Sequence, residues 1–205
     1  MKKVLAIVAL VAAMFIAGNV QAQSTIYAGY APEKFTQTVG SSASTSEYQG
    51  FCAGFTQNFG LSKGIGVAAG AQFRMNTRSG QSSLWILQGS VKETQVLIDV
   101  PILFNYVINI NRDLSITPFV GPMPSLALVG QTKGTDPIFG ENTRNWYGDN
   151  STWSRFNLYA VFGADVKFSQ FNLFGGYRLG LLDLDSRDNV ALKYNGFFVG
   201  LGFTL

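Results

Sequence analysis

The chain of 205 residues contains no histidine and a single cysteine, Cys52. Without histidine it has no imidazole metal ligands and no histidine-based hydrolase triad. Charged residues make up only 13 % of the chain, against 47 % hydrophobic residues. After the first 22 residues, no uninterrupted apolar run approaches the roughly 20 residues that a membrane helix needs. A membrane protein of this composition would therefore be a β-barrel.

The first 22 residues have the pattern of a cleaved secretory signal peptide. Lys2 and Lys3 precede an apolar run over 4–18, and Val20 and Ala22 are the small residues of a cleavage site. The alternative is a retained membrane anchor, which needs about 20 apolar residues, more than this run provides. Cleavage after Ala22 leaves 13 of the 15 basic residues against 12 acidic ones, a net charge of +1. Such a balance leaves no nucleic-acid footprint.

The remaining chain, 23–205, is predicted to form one domain in which polar and apolar residues alternate with a period of two. This period indicates strands at 24–35, 46–60, 64–78, 92–109, 113–130, 154–168, 171–183 and 191–205. The connections alternate between short and long ones, and the longest is 131–153. Short turns on one rim and long loops on the other are typical of bacterial outer-membrane barrels. We therefore predict an all-β, eight-stranded antiparallel up-and-down transmembrane β-barrel.

The two faces of the segment 64–78 show which side would contact lipid. One face carries the bulkier residues Ile65, Val67, Ala69, Ala71, Phe73 and Met75. The other carries Gly64, Gly66, Ala68, Gly70, Gln72, Arg74, Asn76 and Arg78. We predict that the first face contacts lipid and the second lines the narrow interior of an eight-stranded barrel, where small residues fit. A soluble lipocalin-like barrel is the alternative, but its outward faces would be far richer in charge.

Four prolines conflict with a regular barrel. Pro101 lies in the predicted strand 92–109, and Pro118, Pro122 and Pro124 lie in 113–130. Proline cannot donate to a sheet ladder, and a closed barrel has no edge strand to hold it. We expect a bulge or an irregular end in the strand 113–130.

Two segments carry a resemblance to a known family. The stretches "QVLIDVPILFNYVINI" and "ITPFVGPMPSLALVG", with Asp99 and Pro101 in the first, resemble the small outer-membrane β-barrel domain family of Bacteroidetes, the PorT-like group. The stretches "LYAVFGADVKFSQFNLFGGYRLGLLDL" and "GFFVGLGFTL" are similar to its last hairpins. The resemblance implies an eight-stranded barrel of the OmpX and OmpA type, with the prolines as a family trait. Leu205 stands where such barrels usually end in an aromatic residue.

Charged residues of both signs are predicted inside the barrel. They are Arg74, Arg78, Glu93, Asp99, Arg155, Asp165, Lys167 and Arg178, which we interpret as a network of ion pairs that fills the lumen. The alternative is a catalytic carboxylate pair near the outer rim, as in barrel proteases. Asp183, Asp185 and Asp188 are the nearest candidates, but their spacing matches no complete calcium loop and no histidine can act as base. We interpret them as a solvated loop.

Other conspicuous residues are also given structural roles. Trp146, Tyr147 and Trp153 could stack on a ligand, but we predict that they anchor the barrel at the lipid headgroups. Cys52, between Gly50 and Gly54, is predicted to fill the lumen. We therefore predict no catalytic, cofactor-binding or metal-binding residue.

Three functions remain open. The first, which we favour, is a non-enzymatic structural or surface-interaction barrel whose loops 131–153 and 183–190 contact envelope, secretion or host surface proteins. The second is a PorT-like accessory protein in envelope assembly or secretion, and the third is an outer-membrane enzyme acting on lipid or peptide. We expect a monomer surrounded by outer-membrane lipid, no nucleic-acid partner, and a lumen too narrow and too charged for a pore.

Overall fold

The computed structural model describes residues 22–84, 87–136, 140–148, 151–187 and 189–205. The predicted signal peptide lies outside the described residues except for Ala22. The strands are β1 (Ala22–Tyr30), β2 (Glu33–Val39), β3 (Ser42–Ser62), β4 (Ile65–Leu84), β5 (Leu87–Asp99), β6 (Ile102–Tyr106), β7 (Ile108–Asn109), β8 (Leu114–Asp136), β9 (Gly140–Asn145), β10 (Phe156–Phe168), β11 (Phe171–Gly180) and β12 (Val190–Thr204). Among the described residues, no helix is long and apolar enough to cross a membrane.

The strands close into an antiparallel ring. β1 and β2 lie end to end between the same two neighbouring strands, so together they form one barrel strand. β5, β6 and β7 likewise form one barrel strand. The order round the ring is β1/β2, β3, β4, β5/β6/β7, β8, β10, β11 and β12. β12 closes the ring by pairing with both β1 and β2. The predicted eight-stranded barrel is confirmed.

Several strands continue where loops were expected. β3, β4 and β8 contain 21, 20 and 23 residues. Together with their hairpin partners β2, β5 and β9, they occupy most of the predicted loops at 36–45 and 79–91 and about half of the predicted loop at 131–153. In these extensions Ser and Thr occupy both faces of the strand, as in Ser42–Thr45 of β3. The period-two alternation disappears there because neither face contacts an apolar phase. Long hairpins therefore replace the predicted long loops.

The prolines of β8 interrupt the strand on one side of it and leave its pairing with β10 regular. Pro118, Pro122 and Pro124 keep an unbroken register with β10, and the irregularity of β8 against β5 falls at Leu128 instead. The Val100 N–H donates to the carbonyl of Pro124 at 2.8 Å, so these three residues direct their backbone toward the divided strand β5/β6/β7. Because proline returns no N–H, that strand breaks at 100–101 and at 107. The irregularity expected in the strand 113–130 is present, but it lies at Leu128 and not at the prolines.

The strand faces agree with the alternation in the sequence. In β10, Phe162 and Phe168 are exposed on the outer face, while Tyr159 and Val161 are buried inside. Ala69 departs from this rule, because it belongs to the outer face but is only 3 % exposed. It lies between Gln57 and Ile102 on the two neighbouring strands, and its methyl group is shorter than either side chain.

Candidate functional site

Four charged side chains cross the middle of the barrel interior and form what we call the ionic network: Glu33, Arg74, Asp99 and Arg178. Each of them is at most 1 % exposed. Arg74 donates from Nε to Asp99 Oδ2 at 2.8 Å and from Nη2 to Asp99 Oδ1 at 3.1 Å. Its Nη1 forms an ion pair with Glu33, and the Arg178 guanidinium lies 3.7 Å from the same carboxylate. Two positive and two negative charges thus balance away from water, as buried charges require.

Neutral side chains add further hydrogen bonds to the ionic network. Asp99 also accepts from Ser125 Oγ at 2.5 Å and from Gln72 Nε2 at 2.7 Å. Asn76 donates to Glu33 Oε2 at 2.6 Å. The Arg74 guanidinium lies over the Tyr159 ring, 5.2 Å from its centroid.

The prediction of lumenal ion pairs is borne out for some of the named residues. Arg74, Asp99 and Arg178 belong to the ionic network, and Arg78 and Glu93 form a half-buried pair at 3.6 Å. Arg155 lies outside any such pair among the described residues; it is exposed and donates to the carbonyls of Leu128 and Tyr147. Asp165 and Lys167 face the lumen, but at a different depth.

Sequence reasoning did not identify Glu33, although it is the residue that joins both arginines. The odd-numbered residues Tyr27, Gly29, Ala31, Glu33 and Phe35 form the lumenal face of the first barrel strand. The position of Glu33 on that face could have identified it as a lumenal partner of the arginines.

Six aromatic side chains fill the barrel at the end of the long hairpins and form what we call the aromatic cluster: Phe35, Tyr48, Trp146, Tyr147, Trp153 and Tyr194. Neighbouring ring centroids lie 5.0–6.5 Å apart. The Trp146 indole N–H donates to Thr132 Oγ1 at 2.7 Å, and Gln95 Nε2 donates to the Tyr147 hydroxyl at 2.9 Å. The Asn76 amide in turn donates to Gln95 at 3.3 Å, which connects the aromatic cluster to the ionic network.

The predicted interfacial anchors are therefore wrong for two residues. Trp146 and Tyr147 are 8 % and 9 % exposed. After β9 the chain still follows β8, because the Trp146 N–H donates to the Gly130 carbonyl at 2.8 Å, and both rings pack in the aromatic cluster. They pack against Gly130, where a Cβ atom would lie 2.6 Å from Tyr147 Cε2 and 2.7 Å from Trp146 Cε3. Large rings on this segment cover the apolar mouth and do not reach the headgroups.

The other half of the lumen, near the short turns, holds a cavity of about 400 Å³. Its rim includes the turn 111–113 and Ser169, and its floor includes Gln72 and Arg178 beside the ionic network. Cys52 lines this cavity and is buried, so the prediction that it faces the lumen is confirmed. Small residues of β4, such as Ala68, also line it. Near the short turns they therefore border open space, whereas the lumen had been expected to be crowded throughout.

Beyond the aromatic cluster, the long hairpins form a polar sheet that we call the projecting sheet. It consists of the β2–β3, β4–β5 and β8–β9 hairpin ends. All six residues of β9, "GENTRN", are exposed. Within the described residues β9 pairs with β8 alone, so its second edge carries unpaired backbone groups.

A comparison with family models identifies the class of barrel. A model described as an outer membrane protein beta-barrel domain matches residues 17–186, more than half of the chain. The chain belongs to this family of outer-membrane β-barrel domains. The protein is accordingly located in the outer membrane.

Solved structures similar to this outer-membrane barrel include two bacterial surface proteins. Ail, the attachment invasion locus protein of Yersinia pestis, solved in complex with the heparin analogue sucrose octasulfate, is 20 % identical, covers 90 % of this chain and 99 % of its own, and has a TM-score of 0.44. Neisserial surface protein A is 9 % identical, covers 88 % and 97 %, and has a TM-score of 0.40. At these scores the similarity carries no functional information. Among curated proteins, none matches this chain.

The outward surface of the outer-membrane barrel is apolar over its middle. Its large exposed hydrophobic residues include Ile26, Phe51, Phe73, Phe104, Val120, Phe162, Phe197 and Leu201. These are the outward positions of their strands, and a charge at such a position costs roughly 2–4 kcal/mol at the bilayer midplane. The predicted lipid face is the exposed one.

The acidic stretch "DLDSRD" is built into the rim of the barrel. Asp183 Oδ1 accepts from the N–H groups of Asp185 and Leu192 at 3.0 and 2.8 Å. Asp185 forms an ion pair with Arg187 at 2.6 Å, and hydrogen bonds from Arg187 hold the pKa of this carboxyl below its usual value. Asp185 is buried, so the predicted solvated loop is wrong at this residue.

The acidic stretch also contains Asp188, and its carboxylates were considered as ligands of a metal ion. Asp188 lies outside the described residues. Within the part of the chain that the structure describes, no three His, Cys, Asp or Glu side chains are grouped to hold a metal ion.

Proposed function

We propose that this outer-membrane barrel is a non-enzymatic surface-interaction protein that presents the projecting sheet to envelope or host surface partners. The observation that carries the proposal is the length of the strands. A tilted strand crosses a bilayer in about 9–11 residues, whereas β3, β4 and β8 contain 21, 20 and 23. The additional residues are mostly polar in sequence and form an ordered sheet outside the apolar belt.

The composition of the projecting sheet supports a binding role. Ser, Thr, Asn and Gln dominate its surface, and charges of both signs are interspersed, as in Lys34–Glu47 at 3.1 Å and in Glu141 and Arg144 of β9. The unpaired edge of β9 offers backbone groups to an added strand of a partner. The loop 183–190 lies beside the aromatic cluster through the Trp153–Asp185 bridge, so it contributes to the same surface.

The orientation and processing of the chain form part of this proposal. The signal peptide is cleaved after Ala22, residues 23–205 form the barrel, and the long hairpins face the cell exterior, as in other bacterial barrels. The barrel is a monomer surrounded by lipid. The ionic network and the aromatic cluster close the lumen, so the protein conducts no ions.

The resemblance to the PorT-like group of Bacteroidetes supports a second function, an accessory role in envelope assembly or secretion. It rests on the segments that contain Asp99 and Pro101. In this structure Asp99 belongs to the ionic network and Pro101 to a strand break, so both residues have architectural roles. An enzyme acting on lipid or peptide is the third possibility, and replacement of Asp183 and Asp185 by Asn tests it.

The test of the proposal shortens the β8–β9 hairpin. In one strain residues 133–143 are replaced by Asn-Gly, a two-residue turn that closes hairpins. In the control strain the β2–β3 turn residues Gly40 and Ser41 are replaced by the same turn, which changes no sheet edge. Adhesion of intact cells to host-cell monolayers and to other bacteria is measured together with secreted protein in the medium.

We expect the shortened hairpin to abolish adhesion while secretion and the amount of barrel in the membrane stay normal. Normal adhesion in a strain that lacks the gene would overturn the surface-interaction function. Loss of secretion in that strain would support the accessory function instead.

A further inference from the structure

The cavity in the short-turn half has the size of a small-molecule site. Its volume of about 400 Å³ lies within the range of about 300–1,000 Å³ that is usual for ligand pockets. It ends at Gln72 and Arg178 and reaches the turn 111–113 at the rim. A ligand would therefore enter from the side opposite the projecting sheet.

One wall of the cavity is aromatic. Tyr27, Phe174, Phe198 and Phe119 follow one another along it, with ring centroids 5.2, 6.2 and 6.4 Å apart. Met123 and Leu103 continue this surface. The wall can bury one apolar group of a ligand, and planar groups are favoured because rings pack on rings.

Nearer the rim, charged groups of both signs face the cavity without pairing with each other. Asp165 Oδ2 accepts from Asn172 Nδ2 at 2.8 Å, whereas its Oδ1 is buried and has no hydrogen-bond partner. Lys167, two residues along the same face, donates instead to Gln23 Oε1 at 3.2 Å. Arg112 forms no ion pair within the described part of the chain. A buried carboxylate oxygen without a donor is costly unless a ligand or water supplies one.

We propose that this cavity binds a free amino acid with an apolar side chain in its zwitterionic form. The ammonium group pairs with Asp165, the carboxylate pairs with Lys167 and Arg112, and the side chain packs on the aromatic wall. A simple amine would leave both cations without a partner, and a simple carboxylate would leave Asp165 without one. A zwitterion provides a partner of opposite charge for Asp165 and for the two cations, while Asp113, the other acid of the rim, is exposed to solvent.

The test uses the complete barrel in lipid nanodiscs, where no detergent can enter the cavity. Isothermal titration calorimetry compares three probes that share a phenyl ring: L-phenylalanine, phenethylamine and 3-phenylpropionate. We expect L-phenylalanine to bind about tenfold or more tightly than either of the others, because each of them lacks one charge-assisted contact. Equal binding of the three probes, or no binding of L-phenylalanine, would overturn the proposal.

Two variants assign the contacts. Asp165→Asn should weaken L-phenylalanine and phenethylamine by about tenfold and leave 3-phenylpropionate unchanged, whereas Lys167→Gln should weaken L-phenylalanine and 3-phenylpropionate. Glu141→Gln, on β9 outside the cavity, is the control and should change nothing. If Asp165→Asn does not fold, Lys167→Gln and the three probes on the unaltered barrel still decide. Unchanged affinity for L-phenylalanine in both folded variants would contradict the assigned contacts.

Discussion

Ala127 and Ala68 both direct a methyl group into the barrel, yet their surroundings differ. Ala127 is 3 % exposed and packs with the aromatic cluster, on the side of the projecting sheet. Ala68 lines the cavity near the short turns. The strands are continuous between the two halves, so the contrast comes from the side chains. Large rings fill one half from all sides, whereas in the other half rings line one wall only, and Gly, Ala, Thr and Asn leave space beside them.

This contrast suggests a division of roles within one barrel. The filled half gives the projecting sheet a rigid base, because each buried charge and ring has partners there. The half with the cavity lies farther from the hairpins and does not pack against them, so it can contain open space. The ionic network forms the boundary between the two.

The largest effect is expected when that boundary is broken. Arg74→Ala removes the ion-pair partner of Asp99 and the nearer of the two partners of Glu33, so that Arg178 alone faces two buried carboxylates. We expect the free energy of unfolding in lipid vesicles, measured by urea titration, to fall by about 3–5 kcal/mol. Arg78→Ala is the matched control, because its ion pair with Glu93 is half-exposed, and it should cost about 1 kcal/mol or less. A similar loss of unfolding free energy in both variants would show that the ionic network contributes no more to stability than a half-exposed ion pair, and it would contradict its role as the boundary between the two halves.

We expect the difference between the filled half and the half with the cavity to be confined to the barrel interior. Phe162→Arg places a charge on the outer face of β10. On this face we expect the filled half and the half with the cavity to contact lipid in the same way. We expect a loss of about 2–4 kcal/mol in folding stability near the midplane. Lys167→Arg, on the inner face of the same strand, keeps its charge in the lumen and serves as the control. If both substitutions cost the same, the two faces of β10 are not distinguished by a membrane.

The faces could be predicted from the sequence because one side of each strand meets an apolar phase. The alternation around Phe162 and around Leu201 indicates the outward side, and Arg74 and Asp99 were correctly placed inside. The alternation cannot report on Ser42–Thr45, where both faces meet water, and so hairpins were interpreted as loops. Trp146 and Tyr147 were misplaced because their burial depends on Gly130, which is more than ten residues away in sequence, and on continued pairing with β8 after β9.

A third, smaller effect tests whether Trp146 and Tyr147 fill the half of the barrel next to the projecting sheet. Gly130→Val introduces atoms where Trp146 and Tyr147 approach to 2.7 and 2.6 Å of the position of a Cβ. We expect a loss of about 1–3 kcal/mol and a red-shifted tryptophan emission as the rings move toward water. Gly134→Val, four residues along β8, has no atom within 4 Å of its Cβ position and should be silent. An unchanged emission in Gly130→Val would mean that the rings do not occupy the mouth.

The smallest expected effect concerns the rim beside the aromatic cluster. Because hydrogen bonds from Arg187 lower the pKa of Asp185, this carboxylate stabilises the loop fully above its unfolded pKa of about 3.9. That contribution is lost as the pH falls further, through the lower folded pKa. Amide hydrogen exchange at Arg187, whose N–H donates to Asp185 Oδ1 at 3.0 Å, should therefore accelerate only below about pH 4. Asp185→Asn should abolish this step; a step that persists in the variant would belong to another group.

The contrast between a filled and an open half is tested most directly by the access of water to the two alanines. In a Cys52→Ser background, Ala68→Cys and Ala127→Cys are prepared separately in nanodiscs and treated with a small charged methanethiosulfonate reagent. Mass spectrometry measures the rate of modification. The structure predicts rapid modification at position 68, which lines the cavity, and protection at position 127 until the barrel is unfolded. Equal rates in the folded barrel, or faster modification at 127, would contradict it.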